Sequence, residues 1–188
     1  MAEFVRKNCK IEKVIIERNG FTPNNPEYPL IVYRKVFTGS GMRLAKFIES
    51  VITGNKWPNM WRSSIYKFHH YHSKTFEFVG CYKGHAKIQL GGNNGLIVDI
   101  KTGDAAIIPP GVAHKQLYAA GDFILVGGYP YGEYPDMMYG KENELKQALE
   151  NIKNVFISEF DPVFGEKFRK LLEKSDAKIY KFKNNEES

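Results

Sequence analysis

The sequence predicts an all-β core of the sandwich or barrel type, with a few α-helices on its outside. Between Trp61 and Tyr129 the chain consists of short apolar runs of strand length, with glycine or proline at most of the joints. Helical periodicity occurs only before and after that region. The chain has 188 residues, 43% of them hydrophobic, which suits one domain with a single core.

Two strands and one helix are predicted before this core. Ile11 to Glu17 is rich in β-branched residues and predicts a strand, and Leu30 to Tyr33 predicts a second. Apolar residues then recur at three- and four-residue intervals from Leu44 to Ile52, which predicts a helix. Ser40 is the candidate N-cap, and Gly54 is the candidate C-terminal stop.

Seven strands are predicted in the core itself, because each apolar run is short and ends at a turn-forming residue. They are Ile65 to His72, Thr75 to Tyr82, Ala86 to Leu90, Leu96 to Ile100, Ala105 to Ile108, His114 to Tyr118 and Phe123 to Val126.

Two amphipathic segments after Pro135 predict further helices. One has Leu145, Leu149 and Ile152 on its apolar face, and the other lies near Phe164 to Leu172. We therefore expect one domain over residues 1–180, with its core at 61–129, N-terminal strands and helix at 11–54 and C-terminal helices at 140–174. The polar composition of residues 181–188 predicts a disordered tail.

Composition argues against several classes of protein. No apolar run approaches the roughly 18 residues of a membrane span, and the N-terminus does not resemble a secretory signal, so we expect a cytoplasmic protein without membrane contact. The 27 basic and 21 acidic residues give a net charge of +6, but the basic residues are scattered, which argues against nucleic-acid binding. Cys9 and Cys81 fit no disulfide framework and no thiolate zinc site, so both are expected to be reduced.

Histidines cluster at one point of the core. On a strand, His70 and His72 would project from the same face about 7 Å apart, while His69 would face the other way. A hairpin-like return would bring Glu77 to the same point, and His114 is the fourth candidate. Three imidazoles and one carboxylate suit a first-row transition metal rather than magnesium or calcium. The alternative is that these are ordinary surface or hydrogen-bonded histidines.

The same residues resemble the two sequence motifs of the cupin superfamily. His70, His72, Glu77 and Gly84 have the spacing of the first motif. Gly103, Pro109, Gly111 and His114 have that of the second. Ser64 stands where the first motif has glycine, and Tyr118 stands where the second has asparagine. Neither position is a metal ligand in the family, so these differences concern turn geometry and pocket shape.

A narrower resemblance is to the uncharacterised YjlB-like group of cupins. It is carried by segments spread over roughly residues 15 to 165, among them Phe21 to Pro26, His69 to Ser73, Gln89 to Gly92, Pro109 to Lys115 and Asp161 to Gly165. The resemblance implies an RmlC-like jelly-roll β-barrel that holds one metal ion, and a homodimer. It implies no particular substrate.

The leading functional hypothesis is a metal-dependent enzyme acting on a small, oxygen-rich molecule, with Fe, Mn, Ni, Zn or Cu as its divalent ion. Redox metals would support dioxygenase chemistry, and Lewis-acid metals would support isomerase or lyase chemistry. Tyr66 and Glu77 are candidate catalytic groups, although a core role for Tyr66 is the alternative. The rival hypothesis is a non-catalytic metal- or ligand-binding module or an oligomeric scaffold.

Several further residues are considered as neighbours of the predicted site. Cys81 is expected deep in the core as an inert thiol. Gln89 faces either the cavity or solvent. Tryptophans and tyrosines are expected at the mouth or at a partner interface; they are Trp57, Trp61, Tyr129, Tyr131, Tyr134 and Tyr139. His85 is expected in a turn.

Overall fold

A computed structural model describes residues 4–182 and shows eight strands and three helices. The strands are β1 (Lys10–Ile16), β2 (Asn25–Arg34), β3 (Trp61–Ser63), β4 (Glu77–Leu90), β5 (Leu96–Lys101), β6 (Ala105–Ile108), β7 (His114–Gly128) and β8 (Lys178–Tyr180). The helices are α1 (Gly41–Gly54), α2 (Glu142–Lys153) and α3 (Phe168–Leu171). Within these residues, no helix has the length and apolarity that crossing a bilayer requires.

All eight strands belong to one sheet with the order β3-β7-β4-β6-β2-β1-β8, and β5 pairs with β4 beside this path. Every pairing is antiparallel except that of β1 with β8. The jelly-roll class expected from the sequence is confirmed, with one difference. No pairing among the described residues joins β3 to β8, so the sheet is not a closed barrel.

Both faces of the central strands are buried, which explains their continuous apolar runs. Phe78 and Ile107 pack in the cluster that includes α1, whereas their neighbours Val79 and Ala106 pack in the cluster between the two halves of the sheet. Helix α1 therefore covers one face, as its periodicity predicts. Ser40 is its N-cap residue but makes no side-chain cap hydrogen bond, and the helix ends at Gly54.

The longest strands differ from the predicted ones because two glycines act as bulges rather than turns. Most of the predicted strand Thr75 to Tyr82, from Glu77 onward, and all of Ala86 to Leu90 are parts of the single strand β4, with Gly84 at φ +73°. The two runs predicted after residue 113 are likewise parts of β7, with Gly121 at φ +65°. The β4–β7 register shifts close to Gly84, so a positive φ there inserts a bulge without ending the pairing.

Two other expectations need correction. Ile65 to His72 is not a regular strand; only isolated bridges occur within it. In α2 the buried residue is Ala148, and Leu149 is 45% exposed. Strand β8 was not anticipated. The predicted tail lies mostly outside the described residues, and the single-domain assignment stays a prediction.

Candidate metal centre

Two separate parts of the chain form the centre, and backbone hydrogen bonds join them directly. His70 and His72 lie in the irregular segment between β3 and β4. His70 and His114 exchange backbone hydrogen bonds of 3.3 and 2.9 Å, and the Gly111 N–H donates to the His72 carbonyl at 2.8 Å. The segment that carries the first two histidines is therefore held in position by the start of β7.

The turn before His114 requires the glycine of the second motif. Gly111 has a φ of +89°, and a Cβ there would collide with the backbone oxygen of Asn24. Two asparagine side chains hold this turn from the other side. The Asn25 amide donates to the Pro110 carbonyl at 2.9 Å, and the Asn24 side-chain oxygen accepts from the Ala113 N–H at 3.3 Å. This scaffold sets the direction of the His114 side chain.

Four side chains converge at this point, and all are buried. His70, His72 and His114 place ligand nitrogens within 4.8 Å of one another. Glu77, the first residue of β4, contributes a carboxylate whose Oε1 lies 3.6 Å from His72 Nε2 and whose Oε2 lies 3.2 Å from His114 Nε2. Ligands bonded at about 2.1 Å to one ion are separated by about 3–4 Å, so the three imidazoles need only a small contraction to hold one, and Glu77 lies within that range of two of them.

Backbone carbonyls orient all three imidazoles. The Nδ1 of His70 lies 3.3 Å from the Phe68 carbonyl, that of His114 lies 3.1 Å from the Val112 carbonyl, and that of His72 bonds the Asp136 carbonyl. A carbonyl can only accept a hydrogen bond, so each ring carries its proton on Nδ1. In the neutral form of each ring, Nε2 consequently presents a lone pair, as metal-binding imidazoles do.

The carboxylate provides a test of whether these residues fit a cation. Glu77 Oε2 is buried without a hydrogen bond, yet it lies 3.2 Å from the Nε2 lone pair of His114. Two acceptors facing each other away from water are unfavourable unless a positive charge lies between them. A metal ion or an added proton satisfies this requirement, and the four side chains therefore fit a divalent cation.

The pKa values of the cluster depend on two opposing effects, burial and the charges of neighbouring side chains. Burial lowers the pKa of His70 to about 3, with the charge of His114 adding to the effect. Burial also acts to lower the pKa of His72, but the nearby Glu77 carboxylate outweighs it and raises that pKa. Burial acts to raise the pKa of Glu77, but His72 and His114 hold it well below its usual value. Glu77 is therefore an anion, as a ligand carboxylate must be.

Two aromatic residues support the carboxylate. The Tyr129 hydroxyl donates to Glu77 Oε1 at 2.8 Å, and the Trp61 Nε1–H donates to the Tyr129 oxygen at 3.1 Å. The sequence predicts both residues at a mouth or an interface; both line the cavity beside the cluster, and Tyr129 is only 6% exposed. The signal that could have revealed Trp61 is Gly127, the residue paired with it on β7. A Cβ on Gly127 would overlap the Trp61 ring.

Of the other residues predicted near the site, Tyr66 lies beside it, whereas His69 and Cys81 lie elsewhere. Tyr66 lines the cavity beside the cluster, with its ring 5.1 Å from that of His70. His69 points away, and its Nε2 lies 3.2 Å from the Gln89 side-chain oxygen. Cys81 is fully buried in the apolar core, and burial raises its pKa to about 12.

Trp57 and His85 lie elsewhere than the sequence predicts. Trp57 is fully buried against α1 and α3 rather than at the mouth, and its Nε1–H donates to the Phe160 carbonyl at 2.9 Å. His85 lies within strand β4 and not in a turn. Asp136, which binds His72 through its carbonyl, carried no recognisable signal in the sequence. Its carboxylate also accepts from the Ser73 N–H at 2.7 Å.

Comparison with solved structures finds several similar chains. QdtA, a 3,4-ketoisomerase from Thermoanaerobacterium thermosaccharolyticum, shares 18% identity over 50% of this chain and 74% of its own, with a TM-score of 0.40. Acireductone dioxygenase from Bacillus anthracis, solved with a cadmium ion in its active centre, shares 15% identity over 51% of this chain and 64% of its own, with a TM-score of 0.38. A double-stranded β-helix protein of Klebsiella pneumoniae shares 17% identity over 74% of this chain and 88% of its own, with a TM-score of 0.35.

Sequence comparison gives a closer relationship. No protein-family model matches the chain. The uncharacterized protein YjlB of Bacillus subtilis strain 168 is 38% identical over 149 residues, which are 79% of this chain and 87% of that protein. With this identity across most of both sequences, and with a jelly-roll sheet that brings the two cupin motifs together, the chain belongs to the YjlB-like group of cupins.

Proposed function

We propose that the protein is a metal-dependent enzyme that acts on a small, oxygen-rich organic molecule. His70, His72, Glu77 and His114 hold one divalent transition-metal ion. The observation that carries this proposal is the buried contact between two acceptors, Glu77 Oε2 and His114 Nε2, at 3.2 Å. A cation between them removes the repulsion and gives the unpaired oxygen a partner.

The kinds of donor atoms limit which metal ion the site would bind. Three imidazoles with one carboxylate and no thiolate suit Fe, Mn, Ni, Zn or Cu, whereas magnesium and calcium prefer oxygen ligands. Four protein ligands leave two positions of an octahedral ion, or one position of a five-coordinate ion, open for substrate or water. When bound, such an ion supplies either Lewis-acid chemistry, as in isomerases and lyases, or redox chemistry with dioxygen.

The protein's own residues prepare this site in three ways. Backbone carbonyls fix the proton on each Nδ1 and so keep Nε2 free. Tyr129 donates a hydrogen bond to Oε1 of Glu77, while Oε2 lies beside His114 without a hydrogen bond. Apolar side chains, among them Ile65 and Trp61, line the adjoining cavity and limit the access of water. Tyr66, at the edge of this cavity, offers a hydroxyl to a bound substrate.

Assembly and location form part of the same proposal. A homodimer would protect the sheet edges, because β5 pairs only with β4, and β3 and β8 end the strand path. Free thiols at Cys9 and Cys81 suit the reducing cytoplasm. Sedimentation equilibrium at micromolar concentration should give twice the chain mass, and a purely monomeric species would contradict the dimer.

Elemental analysis of protein purified without chelators tests the metal site directly. We expect about one transition-metal ion per chain in the wild type and a sharp loss of metal in His72→Ala. His85→Ala is the matched control, because His85 lies on an exposed part of β4 away from the cluster. A wild-type protein that stays metal-free after anaerobic reconstitution would contradict the proposal.

The metal-loaded protein should then be screened for turnover. Oxygen uptake and isomerase or lyase assays over small diols, enols and keto acids cover the two chemical classes. Turnover that disappears in His72→Ala would support an enzyme. Tight retention of an unreacted ligand, with no turnover of any substrate, would instead indicate a binding module.

A further inference from the structure

The cavity beside the histidines has walls that limit what it can bind. Its volume is about 290 Å³, just below the range of about 300–1,000 Å³ for small-molecule sites. Trp61, Ile65, Pro135 and Met137 supply apolar surface. Apart from the four candidate ligands and Tyr129, the polar groups are hydroxyls on Ser63, Ser64 and Tyr66. The cavity therefore suits a compact ligand with a substantial apolar portion.

Positive side chains are missing from this cavity. Among residues 4–182, neither lysine nor arginine lines it, although the chain as a whole carries 27 of them. Basic residues line other grooves, as Lys10, Arg34 and Lys101 do beside β1 and β5. A phosphate or second carboxylate in the cavity would lose its hydration without gaining a counter-ion, which is strongly unfavourable.

The charge of the proposed metal site sets a matching limit on the reactive end of the ligand. Three neutral imidazoles, one carboxylate and a divalent ion carry a net charge of about +1. A head with a single negative charge, such as an enolate, a phenolate or a carboxylate, would neutralise it. A head of higher charge would leave uncompensated charge in an apolar cavity.

An aromatic surface continues from the cavity to the outside. The Tyr66 ring stacks on Phe68 with a centroid distance of 4.9 Å and an interplanar angle of 14°. The two side chains are 54% and 48% exposed, so this surface is open to a ligand. Exposed aromatic rings beside a site typically contact an aromatic or apolar group.

We propose that the substrate has one singly ionised, oxygen-bearing head and an apolar or aromatic body, and that it carries no phosphate or second acidic group. This inference rests on the metal site proposed above. The head binds at the cluster of His70, His72, Glu77 and His114. The body lies against Trp61 and Met137 and extends toward Tyr66.

Three hydroxamates test this assignment, because they share one chelating, singly charged head and differ only in the body. Benzohydroxamate carries a phenyl group, acetohydroxamate a methyl group and phosphonoacetohydroxamate an anionic tail. Protein loaded with Co²⁺, with its cobalt content verified by elemental analysis, is titrated with each, and binding is followed in the visible absorption of the cobalt. Each affinity is normalised to that of the same probe for free Co²⁺.

We expect benzohydroxamate to bind at least about tenfold more tightly than acetohydroxamate, because the phenyl group buries more apolar area. Phosphonoacetohydroxamate should bind at least about tenfold more weakly than acetohydroxamate. Tyr66→Ala should lower the preference for phenyl over methyl by about threefold or more. Tyr118→Ala is the matched control, since Tyr118 is 53% exposed and lies outside the cavity, and it should leave the preference unchanged.

The possible failures are distinguishable. If Co²⁺ binds normally but the three probes bind equally well, or the phosphonate binds best, this inference is wrong and the proposed metal site is still supported. An unchanged phenyl preference in Tyr66→Ala would overturn the placement of the body toward Tyr66. If Co²⁺ does not bind at all, the proposed function fails and this inference fails with it.

Discussion

The Tyr129 hydroxyl donates a 2.8 Å hydrogen bond to Glu77 Oε1, and so the other carboxylate oxygen is directed at the histidines. Tyr129 directly follows the last residue of β7, and Glu77 is the first residue of β4, so the pairing of these strands sets their separation. This hydrogen bond links the candidate ligand set to the hydrophobic surroundings of the cavity.

Tyr129→Phe should weaken metal binding without unfolding the protein. The substitution leaves the packing almost unchanged but removes the only hydrogen bond to Glu77 Oε1 that the described residues provide. Partners of this kind typically change metal affinity by about 10–100-fold. Competition with a chromogenic chelator measures the metal affinity. Tyr131→Phe is the control, because Tyr131 lies nearby in the sequence and its side chain is 47% exposed. Equal affinities in the two variants would show that the hydrogen bond is unimportant.

His69→Ala and His70→Ala should behave differently although the residues are adjacent. His70 belongs to the buried histidine cluster, whereas His69 is directed to Gln89. We expect His70→Ala to lose most of its bound metal, and His69→Ala to retain about one ion per chain. Metal content after dialysis, with circular dichroism to verify folding, makes the comparison. Comparable loss in both variants would contradict the proposed ligand set.

Gly127→Ala should displace the Trp61 ring, because the added methyl group would occupy the space of that ring. Overpacking of this kind typically costs about 1–3 kcal/mol of unfolding free energy. The bond from Trp61 to Tyr129 should also be lost, with a shift in tryptophan fluorescence. Gly54→Ala provides the control, since its Cβ would meet open space at the end of α1 and should leave stability unchanged or slightly raised. Normal stability and fluorescence in Gly127→Ala would disprove the close contact.

Cys81 should not react with thiol reagents in the native protein. Its side chain is fully buried, and burial raises its pKa to about 12, so almost no thiolate exists at pH 8. Cys9 is only partly buried, although burial raises its pKa as well. Titration with Ellman's reagent should therefore detect at most one thiol before denaturation and two after it. In Cys9→Ser, rapid reaction of the native protein would contradict the buried placement of Cys81.

The strand pattern shows where sequence reasoning succeeds and where it fails. Ala105 to Ile108 was predicted with the bounds of β6, because apolar residues end there at a proline and a glycine. Gly84 was interpreted as a strand end, whereas it is a bulge inside β4. A glycine with positive φ serves equally in a turn and in a bulge, and only the pairing partner distinguishes them.

Local spacing along the chain was sufficient to select His70, His72, Glu77 and His114 as candidates and to predict a β-sandwich or barrel, and the resemblance to cupins implied the jelly-roll form. The carbonyl partners of the imidazoles, the bond from Tyr129 to Glu77 and the open edge of the sheet became known only from the folded chain. Two of these contacts join groups that are 52 and 64 residues apart, Tyr129 with Glu77 and His72 with Asp136, whereas the carbonyl partners of His70 and His114 lie only two residues away and depend on the local backbone conformation. Periodicity encodes which face a side chain occupies, but not which distant group it meets there.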